Sequence, residues 1–443
     1  MQYDNAMQGG VVTWQEPSGY RRRSTRFNSR PITIIFNHDE EAFYKTRPSW
    51  SLQRAATCVP PIRRALNRLG WRWHRHGDFE CGVDVNDIAM SCLILSPNVD
   101  LSVGIGSTNP AHVSRGSSFY KYEVALAEDG KYDIRAITRS IQSTEAKKLA
   151  ELPNVTLFHG NPYDEADLQK AYKGVQLAFA NTNGFAIGEK AEIYWGIRMY
   201  ELAVQNHLEH FVWAGVDYGS KLGGYAAKYR CGHLDGKNKV TEYLKSQPTS
   251  PVAWSVLSSC PYLEMLSENW RPKEDESGTY VFAVPLGDGT VPMIHLEDLG
   301  LYCRWIFDHP VESTGINLEV ATTHVSLNDL VQKFQEVTGK PATAVFLTPE
   351  EYFTSGYERL DVDKKLGYGT DGSDKTLQTV GQNFIAFFNV WRDNLAQRDY
   401  PLLDKILPTR VKSLEEWMKK TNYTGDYKPV LIDVTRRNFP IKG

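Results

Sequence analysis

The sequence predicts an α/β protein of 443 residues: a doubly wound parallel sheet, a smaller C-terminal region and an irregular N-terminal extension. Three observations lead there. From about Tyr122 onward, short β-branched and apolar runs alternate with amphipathic helical segments, the pattern of βαβ units. The stretch Lys131 to Arg139, KYDIRAITR, reads as a strand that runs straight into Thr-Arg, so Arg139 stands at a C-terminal strand end, where open α/β sheets bind ligands. The ends of the later strands carry small and amide-bearing residues, which leave room for the backbone of an extended ligand.

Taken in order, the strands are expected at Ile134 to Thr138, Val155 to His159, Leu177 to Asn181, Phe211 to Ala214 and Ala253 to Ser258. Helical segments near Glu145 to Glu151, Glu165 to Tyr172 and Lys190 to Gln205 separate the first four. Right-handed crossovers set the C-terminal ends of all five along one edge. A single Rossmann-like cleft follows, lined by Arg139, Gly160-Asn161-Pro162, Asn181-Thr182-Asn183 and Gly215-Val216. A guanidinium at the position of Arg139 accommodates the 2′-phosphate of NADP; the plainer alternative is a solvated arginine at an ordinary strand end.

The composition narrows the class. A net charge of -3 supplies no basic field of the kind that draws a protein onto nucleic acid or an anionic membrane. Six scattered cysteines (Cys58, Cys81, Cys92, Cys231, Cys260 and Cys303) include no Cys-x-x-Cys pair, which fits reduced thiols and a cytoplasmic location. No apolar run is long enough for a membrane span, and no apolar core follows a basic N-terminus as in a signal peptide. The arginines at 21, 22, 23, 26 and 30 have the look of a transit peptide, but Asp4, Glu16 and the absence of an amphipathic period count against it.

Residues 1–118 read differently from the rest. Clusters such as GYRRRSTR and LGWRWHRHG show no sustained period, and the fragments Ser51 to Leu69 and Pro31 to Phe36 do not alternate in a way that builds a sheet. His74, Arg75 and His76 lack companion ligands at metal spacing, so no metal site is expected. The domain expectation is therefore an unassigned, disordered or misassigned extension over 1–118, a nucleotide-binding domain over 119–320 and a substrate or lid region over 321–443.

The segments RAITR, FHGNPYDEADLQKAYKG, AFANTN, FVWAGV, GHLDGKNKVTEYL, PYLEML and VPMIHLEDLG, in that order, resemble the NmrA-like family of atypical short-chain dehydrogenases. The resemblance runs from about Tyr122 to Asn317, and FFNVWRDNLAQRDYPLLDKILPTRVKSLEEWMKKTNYTG is similar to the tail of such proteins. It implies NADP as cofactor, with Arg139 at the 2′-phosphate, Asn161 and Pro162 by the adenine, and Asn181, Thr182 and Asn183 under the pyrophosphate and nicotinamide half. It also implies Lys237 near the nicotinamide ribose and Tyr262, Leu263, Glu264 and Met265 in the loop that closes over the nicotinamide.

Lys237 is the candidate catalytic residue. A lysine at the start of a helix (Lys237 to Lys245) beside the cofactor can bond ribose hydroxyls and lower the pKa of a neighbouring acid. Ordinary short-chain dehydrogenases carry a tyrosine one turn earlier, where this chain has His233. A histidine can relay a proton, yet Asp235 and Gly236 read as a helix start, which weakens a shared face. Tyr225 and Tyr229 are expected to pack or to form a lid, and Asp298 to fix a loop. Phe384, Phe387, Phe388 and Trp391 recur at spacings of three and four, the buried face of a C-terminal helix or a wall of the substrate pocket.

One departure from the family pattern stands out. Its members open with a strand and a G-x-x-G-x-x-G turn whose amides hold the pyrophosphate. That turn is due near His112, where the nearest glycines are Gly104, Gly106 and Gly116. Three readings are open: a rebuilt first strand over Leu101 to Ile105, a degenerate member with weak cofactor binding, or a misassigned N-terminus, which the abrupt change at Tyr122 favours. The expected activity is NADP-dependent hydride transfer with a small organic carbonyl or enone, as in tailoring steps of secondary metabolism. The alternative is a non-enzymatic NADP-binding redox sensor that contacts a protein partner, as regulatory members of the family do.

Overall fold

The computed structural model describes residues 93–97, 124–355, 361–367 and 374–428. Its elements run in the order β1 (Leu93–Pro97), β2 (Tyr132–Thr138), α1 (Thr144–Ala150), β3 (Val155–His159), α2 (Glu165–Tyr172), β4 (Leu177–Ala180), α3 (Gly184–Gln205), β5 (His210–Val216), α4 (Gly232–Lys245) and β6 (Ala253–Ser259). Then come β7 (Lys273–Glu274), β8 (Tyr280–Phe282), β9 (Thr290–Met293), α5 (Leu296–Asp308), β10 (Asn317–Glu319), β11 (Thr323–Ser326), α6 (Leu327–Thr338), β12 (Ala342–Ala344), α7 (Val380–Arg392), α8 (Tyr400–Ile406) and α9 (Leu414–Lys420). Short polar side chains start the first three helices: Ser143, Asp164 and Asn183 accept bonds from the backbone amides of Ala146, Asp167 and Ala186.

Seven strands form one sheet in the order β10-β6-β5-β4-β1-β2-β3. The β2–β3, β4–β5, β5–β6 and β6–β10 pairs are parallel, as expected. The central strand departs from the expected parallel sheet, because β1 runs antiparallel to both neighbours, with Leu93 opposite Ala136 and Phe179 and Pro97 opposite Tyr132. Its reversed direction still pairs the inner edges of β2 and β4, which an open slot would leave without partners. The chain therefore leaves β1 at the sheet edge opposite the cleft. The expected strand at Leu101 to Ile105, the glycines Gly104, Gly106 and Gly116, and His74 to His76 lie outside the described residues, as does nearly all of 1–118.

Alternation along the strands sends side chains to two faces. Phe211 and Trp213 of β5 pack under Met199, Leu202, Val240 and Leu244 of α3 and α4. On the other face Val212, Ala214 and Leu257 meet Leu299, Tyr302, Cys303 and Ile306 of α5. A separate apolar cluster draws on Leu266, Phe282 and Val291 as well as Phe334, Phe387, Phe388, Trp391, Trp417 and Met418. The smaller layer is thus assembled from segments on both sides of residue 320. Among the described residues no helix is long and apolar enough to cross a membrane, and no cluster of His, Cys, Asp and Glu could hold a metal ion.

Candidate functional site

The strand ends bring the expected residues to one edge. Arg139 follows the last residue of β2, and its carbonyl lies 3.1 Å from His159 Nε2 at the end of β3. Beyond β3 the turn at Asn161 and Pro162 is held by Asp167, whose Oδ2 accepts from the Asn161 amide at 3.0 Å, while Asn161 Oδ1 accepts from the Tyr163 amide at 3.1 Å. Asn183 caps α3, and its own amide donates to Tyr163 Oη at 3.2 Å. The ends of β3 and β4 are therefore tied together across the positions of β1 and β2.

Lys237 reaches the end of β4. Its Nζ donates to Asn181 Oδ1 and to the Thr182 carbonyl, both at 2.8 Å, and lies 3.5 Å from Glu192 Oε1. Glu192 is fully buried and was missed by the sequence reading. Thr182 Oγ1 donates to its Oε1 at 2.7 Å, whereas Oε2 is buried without a hydrogen-bond partner. Burial pushes the Glu192 carboxyl up and the Lys237 ammonium down, with their mutual attraction opposing both shifts.

Two local features make room for this carboxylate. Gly188 breaks α3 with φ 77, so the first turn, from Gly184, folds over the rest of the helix; side chains other than glycine rarely adopt that φ. A Cβ at Gly236 would lie 2.5 Å from Glu192 Oε2, and a Cβ at Gly184 closer still. The two glycines are spaces for Glu192. The indole of Trp213 completes the pocket, with Lys237 Nζ 5.2 Å from its ring centre and its Nε1 donating to the Lys237 carbonyl at 3.1 Å.

The helix that carries Lys237 begins at Gly232, not at Lys237 as the sequence suggested. His233 and Lys237 are thus one turn apart on one face. The His233 ring stacks on Phe185 at 4.6 Å and lies 5.6 and 5.7 Å from Phe384 and Phe387. Burial pulls its pKa down to about 4, and the nearby Lys237 charge acts in the same direction. Of the C-terminal aromatic face, Phe387, Phe388 and Trp391 are core, as the first of the two expectations had it, and Phe384 lies against the histidine.

The remaining expectations fall at the cleft's rim. Tyr262 bridges to Ile294, and the turn Leu263–Ser267 follows it. Met265 packs partly buried against the smaller apolar cluster. The Glu264 carboxylate accepts from His295 Nδ1 at 2.6 Å and from the Leu296 amide, anchoring this turn to the start of α5. Burial disfavours a charged His295, but the bonds to Glu264 and Glu297 outweigh it and raise its pKa to about 9. Asp298 holds the Val411 amide at 2.9 Å, a tie to the C-terminal segment. Tyr229 packs, donating to Asp393 at 2.6 Å, and Tyr225 is exposed. A second feature missed by sequence is the buried pair of Asp217, just past β5, with Arg398, whose two N–H groups bond the carboxylate at 2.8 Å each.

A parallel-sheet cleft with a lysine at its centre defines an α/β protein of the dinucleotide-fold class. Residues 115–363, more than half of the chain, match the NmrA-like family, and the chain belongs to it. It is similar to an NmrA-like family domain-containing protein of Dictyostelium discoideum, 23% identical over 307 residues that span 68% of this chain and 93% of the relative. The NmrA-like family domain-containing oxidoreductase himF of Aspergillus japonicus is 24% identical over 260 residues, 56% of this chain and 77% of the relative. Among solved structures, NmrA, a negative transcriptional regulator, in complex with NADP has a TM-score of 0.52 at 19% identity, covering 68% of this chain and 91% of that one. An NADPH-dependent quinone oxidoreductase of Escherichia coli complexed with NADPH has a TM-score of 0.52 at 16% identity, covering 69% and 97%. At these identities the structural likeness is one of fold.

Proposed function

We propose that the chain is an NADP(H)-dependent oxidoreductase that exchanges hydride with a carbonyl or enone of a small organic substrate, in keeping with a tailoring step of secondary metabolism. The observation that carries this reading is the inner end of the cleft, where Lys237, pinned to Asn181 and Thr182, shares a helix face with His233 beneath the aromatic wall of α7. The oxidoreductases among the relatives support it.

The donor set suits the cofactor at both ends. Arg139 offers a guanidinium for the 2′-phosphate, and Asn161 and Pro162 a flat polar shelf for the adenine. Asn181, Thr182 and Asn183 lie along the path to the nicotinamide, with Tyr262, Leu263, Glu264 and Met265 across it. The nicotinamide supplies or accepts the hydride. Lys237 keeps the Asn181–Thr182 turn in shape and sets a positive charge beside the reacting half, where negative charge on a substrate oxygen is stabilised.

A second reading, a non-enzymatic NADP sensor that contacts a protein partner, is favoured by one observation: the lysine's hydrogens are already engaged by Asn181, Thr182 and Glu192. Incubation of the protein and NADPH with a panel of quinones, enones and imines separates the two. Oxidation of NADPH with any of them marks the enzyme; binding without oxidation marks the sensor.

A further inference from the structure

We infer that Asn383 fixes His233 as the imidazole tautomer with its hydrogen on Nε2, and that this N–H is the hydrogen-bond donor for the oxygen of a flat, conjugated carbonyl compound lying against Phe185 and Phe384. The inference rests on the proposed function in naming that compound the substrate.

Asn383 is completely buried on α7, so the orientation of its amide is dictated by its neighbours. The backbone amide of His233 points at Oδ1 from 3.3 Å, and the Cys231 thiol lies 3.5 Å from the same atom. Both are donors, and a flipped amide would set its NH2 against them. With Oδ1 so placed, Nδ2 faces His233 Nδ1 at 2.7 Å. Oδ1 also lies 3.1 Å from Nδ1, but the amide nitrogen is the nearer partner and only donates, so Nδ1 accepts from it and the ring proton resides on Nε2.

Nε2 makes no hydrogen bond among the described residues, although the ring is enclosed by Phe185, Phe384 and Phe387. Nε2 is not one of the buried unpartnered atoms, so it is accessible and its hydrogen can be taken by a ligand or by water. Phe185 and Phe384 are themselves near-parallel, 13° apart at 5.9 Å, which suits a planar π system. Phe185 follows the end of β4, and Lys237 is one turn away, so the donor lies at the reacting end of the cleft.

The imidazole stays neutral through physiological pH, because burial and the neighbouring Lys237 charge both disfavour its cation. Lys237 and Cys231 are the titratable groups beside it; the facing α7 presents Asn383 and aromatic rings. His233 thus binds and polarises the substrate oxygen as a donor that keeps its own proton, a role different from a proton relay.

Full-length protein labelled with 15N-histidine tests this by NMR. The expected spectrum has an unprotonated Nδ1 and a protonated Nε2 for His233 at every pH between about 6 and 8. Menadione, cyclohexenone and an aryl ketone, added with NADP+, should include at least one that shifts the Nε2–H resonance. Asn383→Asp should move the proton to Nδ1, since a carboxylate there accepts. His233→Phe, which keeps the stacking, should raise the KM of the responsive compound about tenfold or more with NADPH affinity unchanged. An Nδ1–H tautomer, a titration near neutral pH, or an Nε2–H that no compound moves would overturn the inference. Failure of NADPH to bind overturns the proposed function instead, and the tautomer and shift then decide this inference in the cofactor-free protein.

Discussion

The two sides of the cleft are built on opposite terms. On the β4 to β6 side the strands are almost wholly buried, and two charges at their ends are answered from within: Lys237 by Glu192, Asp217 by Arg398. On the β2 and β3 side, β3 is a sheet edge with half-exposed residues, Asn161 stands partly open, and Arg139 is half-buried with its Nε and Nη2 enclosed. Buried charge has to be paired to be tolerated, whereas an open edge can leave polar groups for a ligand. Stability at the inner end and affinity at the outer end should accordingly be separable by mutation.

The largest effect is expected at the strongest buried pair. Asp217→Ala leaves the Arg398 guanidinium enclosed without its carboxylate and should cost about 3–5 kcal/mol in urea denaturation. Lys237→Met should cost about 3 kcal/mol by stranding Glu192, against about 1 kcal/mol for Glu192→Gln, which keeps the bond from Thr182. The sign of the pH effect follows from the raised pKa of Glu192: a protonated carboxyl is the better tolerated form, so Lys237→Met should recover stability as pH falls. Equal losses at all pH values would mean that the carboxylate is not what the lysine answers.

At the rim, His295 provides a smaller, pH-dependent effect. Its pKa of about 9 exceeds the unfolded value, so its contribution is full below about pH 6.5 and disappears as pH rises through about 9. Denaturation curves should lose at most about 3 kcal/mol across that window, and Glu264→Gln should flatten the slope.

What the sequence shows of these two sides differs in the same way. The strand Val155–His159 and the helix Glu165–Tyr172 were legible to the residue, since apolar periodicity and the Asp164 cap report them directly. The start of α4 was not: Asp235 and Gly236 look like a helix beginning, and only the fold shows that Gly236 is small because Glu192 Oε2 occupies the place of its side chain. Glu192 itself, in GEKAEIYW, has the pattern of an ordinary solvated helix residue. Its partner lies 45 positions away, as Arg398 lies far from Asp217, and no local period encodes such pairs. Nor did the alternation of βαβ units reveal a central strand running backwards at Leu93–Pro97.

We propose that the β2 and β3 side of this cleft holds NADPH through Arg139. Titration of full-length protein with NADPH and NADH, following nicotinamide fluorescence, with Arg139→Ala alongside, tests it directly. The expected result is a preference for NADPH that Arg139→Ala reduces by roughly ten- to a hundredfold while leaving NADH binding as it was. Equal affinity for the two cofactors, or an equal loss for both in the variant, would contradict it.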